Sequence, residues 1–383
     1  MLLSTFVDII GVHPTLSKLQ INDIHQFIAI ARLLKVHLSH QQPHYLTTPP
    51  TRLPANIHEF LQCCMSLSDE TLKIAWEALK TLIWEEDTSD KETSLKKMYL
   101  PLFLRFGLSR NISFIPLYPP IRTCLECRLH NTSQNSDHIL GEGRSHPITI
   151  FTQECGPIPG YTHSLYCRKC NTRYHPDYYV HSKATRRTYY GTSLAYLQIA
   201  THYYIDRKLA ELFTSMMVNA WTSATNCARI YNESLIASSS ITDVLPPAWE
   251  YRLHMKVEDV WNTFFLQALL LDTEEHANLL ELPHDASSQA ARLEEAIQSR
   301  NALMSGTGQE HWNHACDLCC WVHTDAMGTP GYLRSVVVDG ISIAFTIAQP
   351  PCHPCKTDSA LLIKIMTEFA LLPIANTPLA QVL

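Results

Sequence analysis

The 383-residue sequence has little charge, with Asp, Glu, Lys and Arg together making up 17% of it. It contains no apolar run approaching the roughly 18 residues of a membrane span. Met1–Ile10 is apolar, but Asp8 interrupts it, no basic segment precedes it and no small-residue cleavage site follows. No secretory leader is therefore expected, and a reducing compartment with metal-bound thiolates is expected instead of a disulfide framework. No internal repeat of solenoid type is present. Neither a Ser/His/Asp arrangement nor a phosphate-cradling glycine motif can be found. The run Val336-Val337-Val338-Asp339-Gly340 resembles the first strand of a two-metal nuclease core. Asp358 and Glu368, however, are the only acids after it, too few for the carboxylate set that such chemistry requires. Asp339 is therefore expected to be a turn residue before Gly340, and no enzymatic activity is expected.

What the chain does have is cysteine, thirteen of them. Cys124 and Cys127 form one C-x-x-C pair. Cys167 and Cys170 form a second, 39 residues further on, within YCRKCNTRYHPDYYVHSKATRRTYY (166–190). Two such pairs flanking β-patterned sequence supply four soft thiolates, the donor set of a tetrahedral Zn²⁺ site. The turn-rich segment His130–Pro147 is expected to be a loop inserted between them. A redox C-x-x-C would need a thioredoxin-like βαβ context, which is absent. Cys155, in a turn between two strands, is expected to be a free thiol, with His163 and His175 as outside alternatives for a ligand. A second cluster pairs Cys316 and Cys319 with Cys352 and Cys355. Here a four-cysteine zinc site leads, and a Cys/His mixture drawing on His311, His314, His323 or His353 competes. Vicinal Cys63 and Cys64 are expected to be packing residues.

Net charge is −6 overall but unevenly distributed. Residues 121–190 hold nine basic and five acidic side chains, whereas residues 191–383 hold ten basic and twenty acidic. The excess of cations thus coincides with the first cysteine module. Arg168, Lys169, Arg173, Lys183, Arg186 and Arg187 lie among Tyr174, Tyr178, Tyr179, Tyr189 and Tyr190. Cations contact phosphates without reading sequence, and tyrosines can stack on unpaired bases. The competing reading makes the tyrosines the small core of the module and the cations its wet surface.

Periodicity supplies the rest of the fold. Ile21, Ile24, Phe27, Ile28, Ala31, Leu34 and Leu38 mark an amphipathic helix. Leu72, Ala75, Trp76, Leu79 and Ile83 mark another, capped by Ser68. Prolines at 101, 116, 119 and 120 predict an extended lead into the first cysteine pair. Strands are predicted over 148–152 and 161–166, around a turn at 156–160, and again near 174–180 and 188–190. Ser193–Tyr231, free of proline and glycine, reads as helix. Further helices carry Val257, Val260, Trp261, Phe264, Phe265, Ala268 and Leu271, and then Leu293, Ala296 and Ile297. The expected class is α+β: a mainly helical chain with a zinc-ribbon-like β module and a second, smaller zinc cluster. The expected division is a helical region (1–115), the first cysteine module with a trailing helix (116–235), a helical spacer (236–305), the second cluster (306–356) and a tail (357–383).

These residues resemble the cysteine-cluster (CxC) proteins associated with KDZ transposases of fungal mobile elements. The likeness to the fifth-type cluster covers Pro116–Leu235, on CLEC, SLYCRKCNTRYHPDYYV, the Arg187–Tyr190 segment and SATNCARIYN. The likeness to the sixth type covers Gly306–Cys355, on GTGQE, HACDLC and the VVVDG run. The chain departs from the family after Gly340, where ISIAFTIAQPPCHPC replaces an early G-H-P-C-C. The resemblance implies zinc-chelating modules that accompany an RNase H-type transposase core, in the nucleus, and bind DNA with low specificity or assist assembly with the transposase or another element-encoded protein. It implies Cys124, Cys127, Cys167, Cys170, Cys316 and Cys319 as ligands. Neither a membrane nor a small-molecule substrate is expected. A zinc-stabilised protein–protein adaptor, or the N-terminal fragment of a transposase, are the alternatives.

Overall fold

A computed structural model describes residues 3–85, 97–130, 138–191, 194–236, 245 and 249–304, together with the backbone of three strands between 320 and 347. The chain opens with helices α1 (Leu3–Val12), α2 (Ile21–Leu33), α3 (Lys35–His40), α4 (Ala55–Met65) and α5 (Asp69–Trp84). Their three-and-four apolar spacing closes one core, in which Phe27, Ile30, Leu34, Phe60, Leu61, Leu72 and Ile83 are buried. The Ser68 hydroxyl accepts from the Thr71 N–H and so caps α5, satisfying one of the donors a helix start leaves free. Cys64 packs against this core, but Cys63 is exposed beside Arg110. Adjacent positions on a helix point about 100° apart, so a single core can take only one of them.

Prolines did not make Leu100–Pro120 wholly extended. Leu100–Leu102 starts a helical turn with Pro101 in its first turn, where a missing N–H costs nothing. It continues as a π-helical turn, Phe103–Gly107, and a 3₁₀ turn, Leu108–Arg110. Only from Ile112 onward is the lead non-helical. A short helix α6 (Leu125–His130) then carries Cys127, with Cys124 immediately before it.

The centre of the protein is a mixed eight-stranded sheet. Its strands are β1 (Gly141–Thr152), β2 (Gly156–Cys167), β3 (Thr172–Tyr174), β4 (Tyr178–His181), β5 (Arg186–Tyr189), β6 (Tyr196–Ala200), β7 (Tyr203–Asp206) and β8 (Glu281–Pro283). The order is β6-β7-β1-β2-β3-β4-β5-β8, with β1 and β7 parallel and every other pair antiparallel. Helices α7 (Arg207–Asn219), α8 (Ala224–Tyr231), α9 (Val257–Glu275) and α10 (Gln289–Met304) follow. Phe213, Cys227, Tyr231, Phe264 and Leu293 from these helices share a core with Phe151, Tyr178, Tyr189, Leu197 and Leu282 of the sheet. Residues 236–305 thus do more than space two cysteine clusters: they supply β8 and two of the covering helices. Leu271, expected within the α9 stripe, is 44% exposed. Three further strands, β9 (Cys320–Thr324), β10 (Pro330–Val338) and β11 (Ile341–Ile347), form an antiparallel sheet in the order β11-β10-β9.

The helical unit is joined to the sheet through a histidine–tyrosine stack. Tyr118 lies flat between His40 (3.9 Å) and His163 (4.0 Å). His37, fully buried, reaches the Ser113 carbonyl at 2.9 Å and the Tyr118 hydroxyl at 3.2 Å. Arg122 clamps the end of α3 by donating to the carbonyls of Ser39 and Gln42. Burial holds His37 down to about 4 and His163 to about 3. As pH falls below 6.5 the unfolded chain takes up protons at these sites that the folded chain does not, so stability is lost progressively down to about pH 3–4. Buried Asp177, raised by burial to about 6, has the opposite sign and offsets part of the loss between pH 6 and 4. Urea midpoints measured across pH 7 to 4 are expected to fall by the equivalent of roughly 3 kcal/mol for each buried histidine before that offset. His163→Phe, which keeps the ring stack, should flatten the profile; an unchanged slope would remove His163 from the account.

Candidate metal centre

The two C-x-x-C pairs, far apart in sequence, meet at one end of the sheet. Cys167 is the last residue of β2, and Cys170 sits in the turn leading to β3. The turn closes because Asn171 adopts a left-handed conformation (φ 61°) and donates its N–H to the Cys167 carbonyl at 2.9 Å, a conformation asparagine tolerates better than most residues. The other pair enters on α6: Cys124 precedes the helix, and the Cys127 N–H points back at the Cys124 sulfur, 3.4 Å away. The approach to α6 is pinned by Cys124 N–H to His138 carbonyl (2.8 Å) and Leu140 N–H to Arg122 carbonyl (3.0 Å). Of the segment expected as a loop, His130–Pro147, His130 ends α6 and only 138–140 lie outside helix and named strand among the described residues. From Gly141 it is strand β1, whose outer half is exposed.

All four sulfurs lie within 4.8 Å of one another. Cys124 and Cys170 are 3.3 Å apart, and Cys127 and Cys167 3.8 Å. A tetrahedron of thiolates about 2.3 Å from a zinc ion would have edges of about 3.8 Å, so the arrangement fits a four-coordinate ion without rearranging the backbone. Leu140 and Tyr174 bury the cluster, with Ile121, Leu125, Leu165, Tyr179 and Tyr190 packed around it. Burial drives the Cys124 and Cys127 thiols above their usual range, and their neighbouring sulfurs add to it. Cys167 is the exception: burial raises it too, but the backbone N–H groups of Cys170 and Lys169 and the Cys124 and Cys170 sulfurs outweigh that and hold it low. Four clustered thiols of this kind ionise together only against a cation. With every donor spent on sulfur, the centre has no open position for a substrate or an activated water. The site can hold a metal through four sulfurs.

The outside alternatives are elsewhere. His163 is in the stack with Tyr118, and His175 lies on Tyr178 at 4.4 Å. Cys155, in the β1–β2 turn, packs with Leu100, Leu104, Leu108 and Ile158, outside the metal cluster's shell. Cys316, Cys319, Cys352 and Cys355, the proposed second set, lie outside the described residues, as do Asp339, Asp358 and Glu368.

The basic–aromatic face is not one surface. Tyr174, Tyr178 and Tyr189 are buried, so they fill the module's core and cannot stack on bases. Arg187 is only 5% exposed. Its guanidinium lies 3.9 Å over the Tyr178 ring and donates to the His284 carbonyl and the Gln198 side chain. Arg186 pairs with Glu295 and donates to the Glu281 carbonyl, tying β5 to the C-terminal helices. Arg173 is half-buried over Tyr166 and donates to Ser164. The exposed cations are Arg168 and Lys169 on the second cysteine turn, and Lys183. Arg168 pairs with Glu142 at 2.6 Å and remains 80% exposed, while Lys169 meets His138 at 2.8 Å. Sequence spacing missed Arg144, exposed on β1 and close enough to Arg173 to depress its basicity after burial has done so. It also missed Tyr174 and Thr172, whose hydroxyls lie 3.1 Å from Cys124 Sγ and Cys170 Sγ.

Residues 112–235 match the family model described as the CxC5 like cysteine cluster associated with KDZ transposases. That segment contains both cysteine pairs and runs from the lead before α6 through α8. No curated protein and no solved structure matches the chain. Among the described residues, no helix is long and apolar enough to cross a membrane.

Proposed function

We propose that this is a non-catalytic, transposon-associated nuclear protein whose zinc-ribbon-like first module holds Zn²⁺ through Cys124, Cys127, Cys167 and Cys170 and contacts the DNA backbone beside it. The observation that carries the metal reading is the convergence of four buried or half-buried thiols within 4.8 Å. Zinc would supply structural cohesion only: a filled-shell ion with four sulfur ligands has neither redox chemistry nor a free coordination site. The second cysteine turn holds Arg168 and Lys169 at the surface of that rigid point, with Arg144 on the neighbouring strand and Lys183 beyond it. These are phosphate-contacting residues in the proposal, and sequence preference is expected to be low because Tyr174, Tyr178 and Tyr189 are buried and cannot stack on bases. Arg187, Arg186 and Arg173 are assigned to the fold instead. A transposase or other element-encoded protein is the expected protein partner.

A gel shift of the full chain on duplex DNA tests this. Binding at low salt should weaken steeply as salt rises, because each phosphate contact adds about 0.9 to the logarithmic salt slope. The combined variant Arg168→Ala, Lys169→Ala, Lys183→Ala should lower affinity by at least tenfold and flatten that slope. Absent binding at low salt, or binding indifferent to the triple change, would leave the protein–protein adaptor as the better account.

A further inference from the structure

Two hydroxyls that the cysteine spacing does not announce sit inside the metal centre. Tyr174 is fully buried on β3. Its oxygen accepts the Leu125 N–H at 3.0 Å, at the start of α6. The same oxygen is 3.1 Å from Cys124 Sγ. A phenol has one proton; with its oxygen already accepting from the backbone, that proton is left for the sulfur. Thr172, also fully buried, places its hydroxyl 3.1 Å from Cys170 Sγ. As a free thiol Cys170 donates this bond to the Thr172 oxygen; a metal-bound thiolate can only accept, so with an ion in place the bond would have to run from hydroxyl to sulfur. Both residues are on β3, the strand that follows the second cysteine turn, yet Tyr174 reaches across to the first pair. One strand therefore addresses both halves of the cluster.

We infer that Tyr174 and Thr172 are positioning residues of the metal centre, donating hydrogen bonds to the Cys124 and Cys170 thiolates so as to fix their orientation and slow loss of the ion. This rests on the metal reading of the four cysteines. Four thiolates around a divalent ion carry a net charge of −2, and the surrounding shell of Leu140, Leu165, Tyr179 and Tyr190 offers that charge little. Hydroxyl donors aimed at the sulfurs compensate it and make the sulfurs poorer proton acceptors, which retards protonation, the first step of release. Tyr174 adds a mechanical link: the hydroxyl that donates to Cys124 also holds the N–H of the next residue, so the first cysteine pair is oriented by β3 as well as by its own turn. Its ring, stacked at 5.5 Å on Tyr179, is fixed in turn.

The test compares full-length wild type with Tyr174→Phe and Thr172→Val. It measures bound zinc by elemental analysis, the rate of zinc transfer to a chromogenic chelator, and the sulfur-to-metal charge-transfer band of the cobalt-substituted proteins. Both variants preserve shape while removing a donor. They are expected to fold with the wild-type zinc content, to release the ion about 10- to 100-fold faster, and to shift the charge-transfer band to lower energy. A merely structural role would not move that band. Wild-type release rates and an unmoved band in folded Tyr174→Phe would overturn the inference. If Tyr174→Phe does not fold, the same readouts on Thr172→Val decide it in the same way. Failure of the underlying metal reading is distinguishable, because wild type itself would then hold no zinc.

Discussion

Cys167→Ser is expected to lower bound zinc by one ion per chain and to unfold the cysteine module, as will stripping the wild-type protein with a strong chelator. The reason is how little else holds this end of the sheet. The apolar cluster around the metal site has Leu140 and Tyr174 as its buried side chains besides three of the cysteines. β3 is three residues long, and α6 is six. Elements this short do not persist alone. Structural zinc in small modules contributes roughly 10 kcal/mol or more to folding, well above what a few apolar contacts at roughly 25 cal/mol per Å² can replace. Serine at position 167 leaves three thiols with no fourth sulfur, and burial holds two of them, Cys124 and Cys127, above their usual range. Loss of zinc measured by elemental analysis should coincide with loss of protection of the β2–β3 amides in hydrogen exchange. Cys155→Ser should leave the zinc content untouched, and a drop there would show that the fourth ligand has been misassigned. About one zinc per chain in the wild type would mean that only this centre is loaded; about two would mean that Cys316, Cys319 and their partners hold a second.

This centre was readable in the sequence because metal ligation imposes a spacing that nothing else in the chain needs. The helices α2 and α5 were readable for a similar reason: each has one buried face with a period of 3.6. The stripe expected from Ile21 to Leu38 nevertheless breaks at Leu34 into α2 and α3, and Ile21 is 82% exposed. The misread segments are those in which two periods coincide. Over 196–206, Leu197, Ile199 and Ile205 are buried while Tyr196, Gln198 and Ala200 are half-buried. That is the two-residue alternation of strand β6, not the continuous helix expected from Leu194, Leu197, Thr201 and Tyr204; in β7 adjacent Tyr204 and Ile205 are both buried. The helix begins at Arg207, and its signal was Asp206, whose carboxylate accepts from the Leu209 N–H.

The segment 156–160 was misread for a different reason. Its prolines and glycines suggested a turn, yet it is the start of strand β2, and the reversal occurs at 153–155 just before it. Pro157 and Pro159 share one parity opposite Phe151 and Thr149. β3 pairs with β2 only at 165–167, so the strand has a free side there on which prolines are tolerated. Gly160 is required by a neighbour: an added Cβ would sit 3.3 Å from the Ser113 hydroxyl. Spacing along one segment cannot reveal which partner strand is missing or which loop comes close.

Arg187→Ala is expected to destabilise the protein by about 3–5 kcal/mol, the cost of removing one member of a buried charged network, with no direct effect on a DNA-contacting face. Sequence position alone places Arg187 with Arg186 and Lys183 in a cationic run, but the alternation of β5 turns it inward. Its guanidinium covers Tyr178 and donates to the His284 carbonyl, just past β8. Asp177, wholly buried, has one carboxylate oxygen accepting from the Gln198 N–H and the other without a partner. Burial pushes this acid up to about 6, and Arg187 is among the groups that pull it back. Alanine would remove the ring contact, two hydrogen bonds and that compensating charge together, leaving the carboxylate more costly to keep ionised. Because His284 directly follows β8, the damage should appear as weakened docking of β8 and the helix after it on the cysteine module. Urea denaturation gives the magnitude, and hydrogen exchange at the β5–β8 pairing gives the place. Arg168→Ala, which alters a side chain 80% exposed, should change stability by no more than about 0.5 kcal/mol. A loss below about 1 kcal/mol for Arg187→Ala would mean that Arg187 contributes little to holding β8 and α10 on the cysteine module.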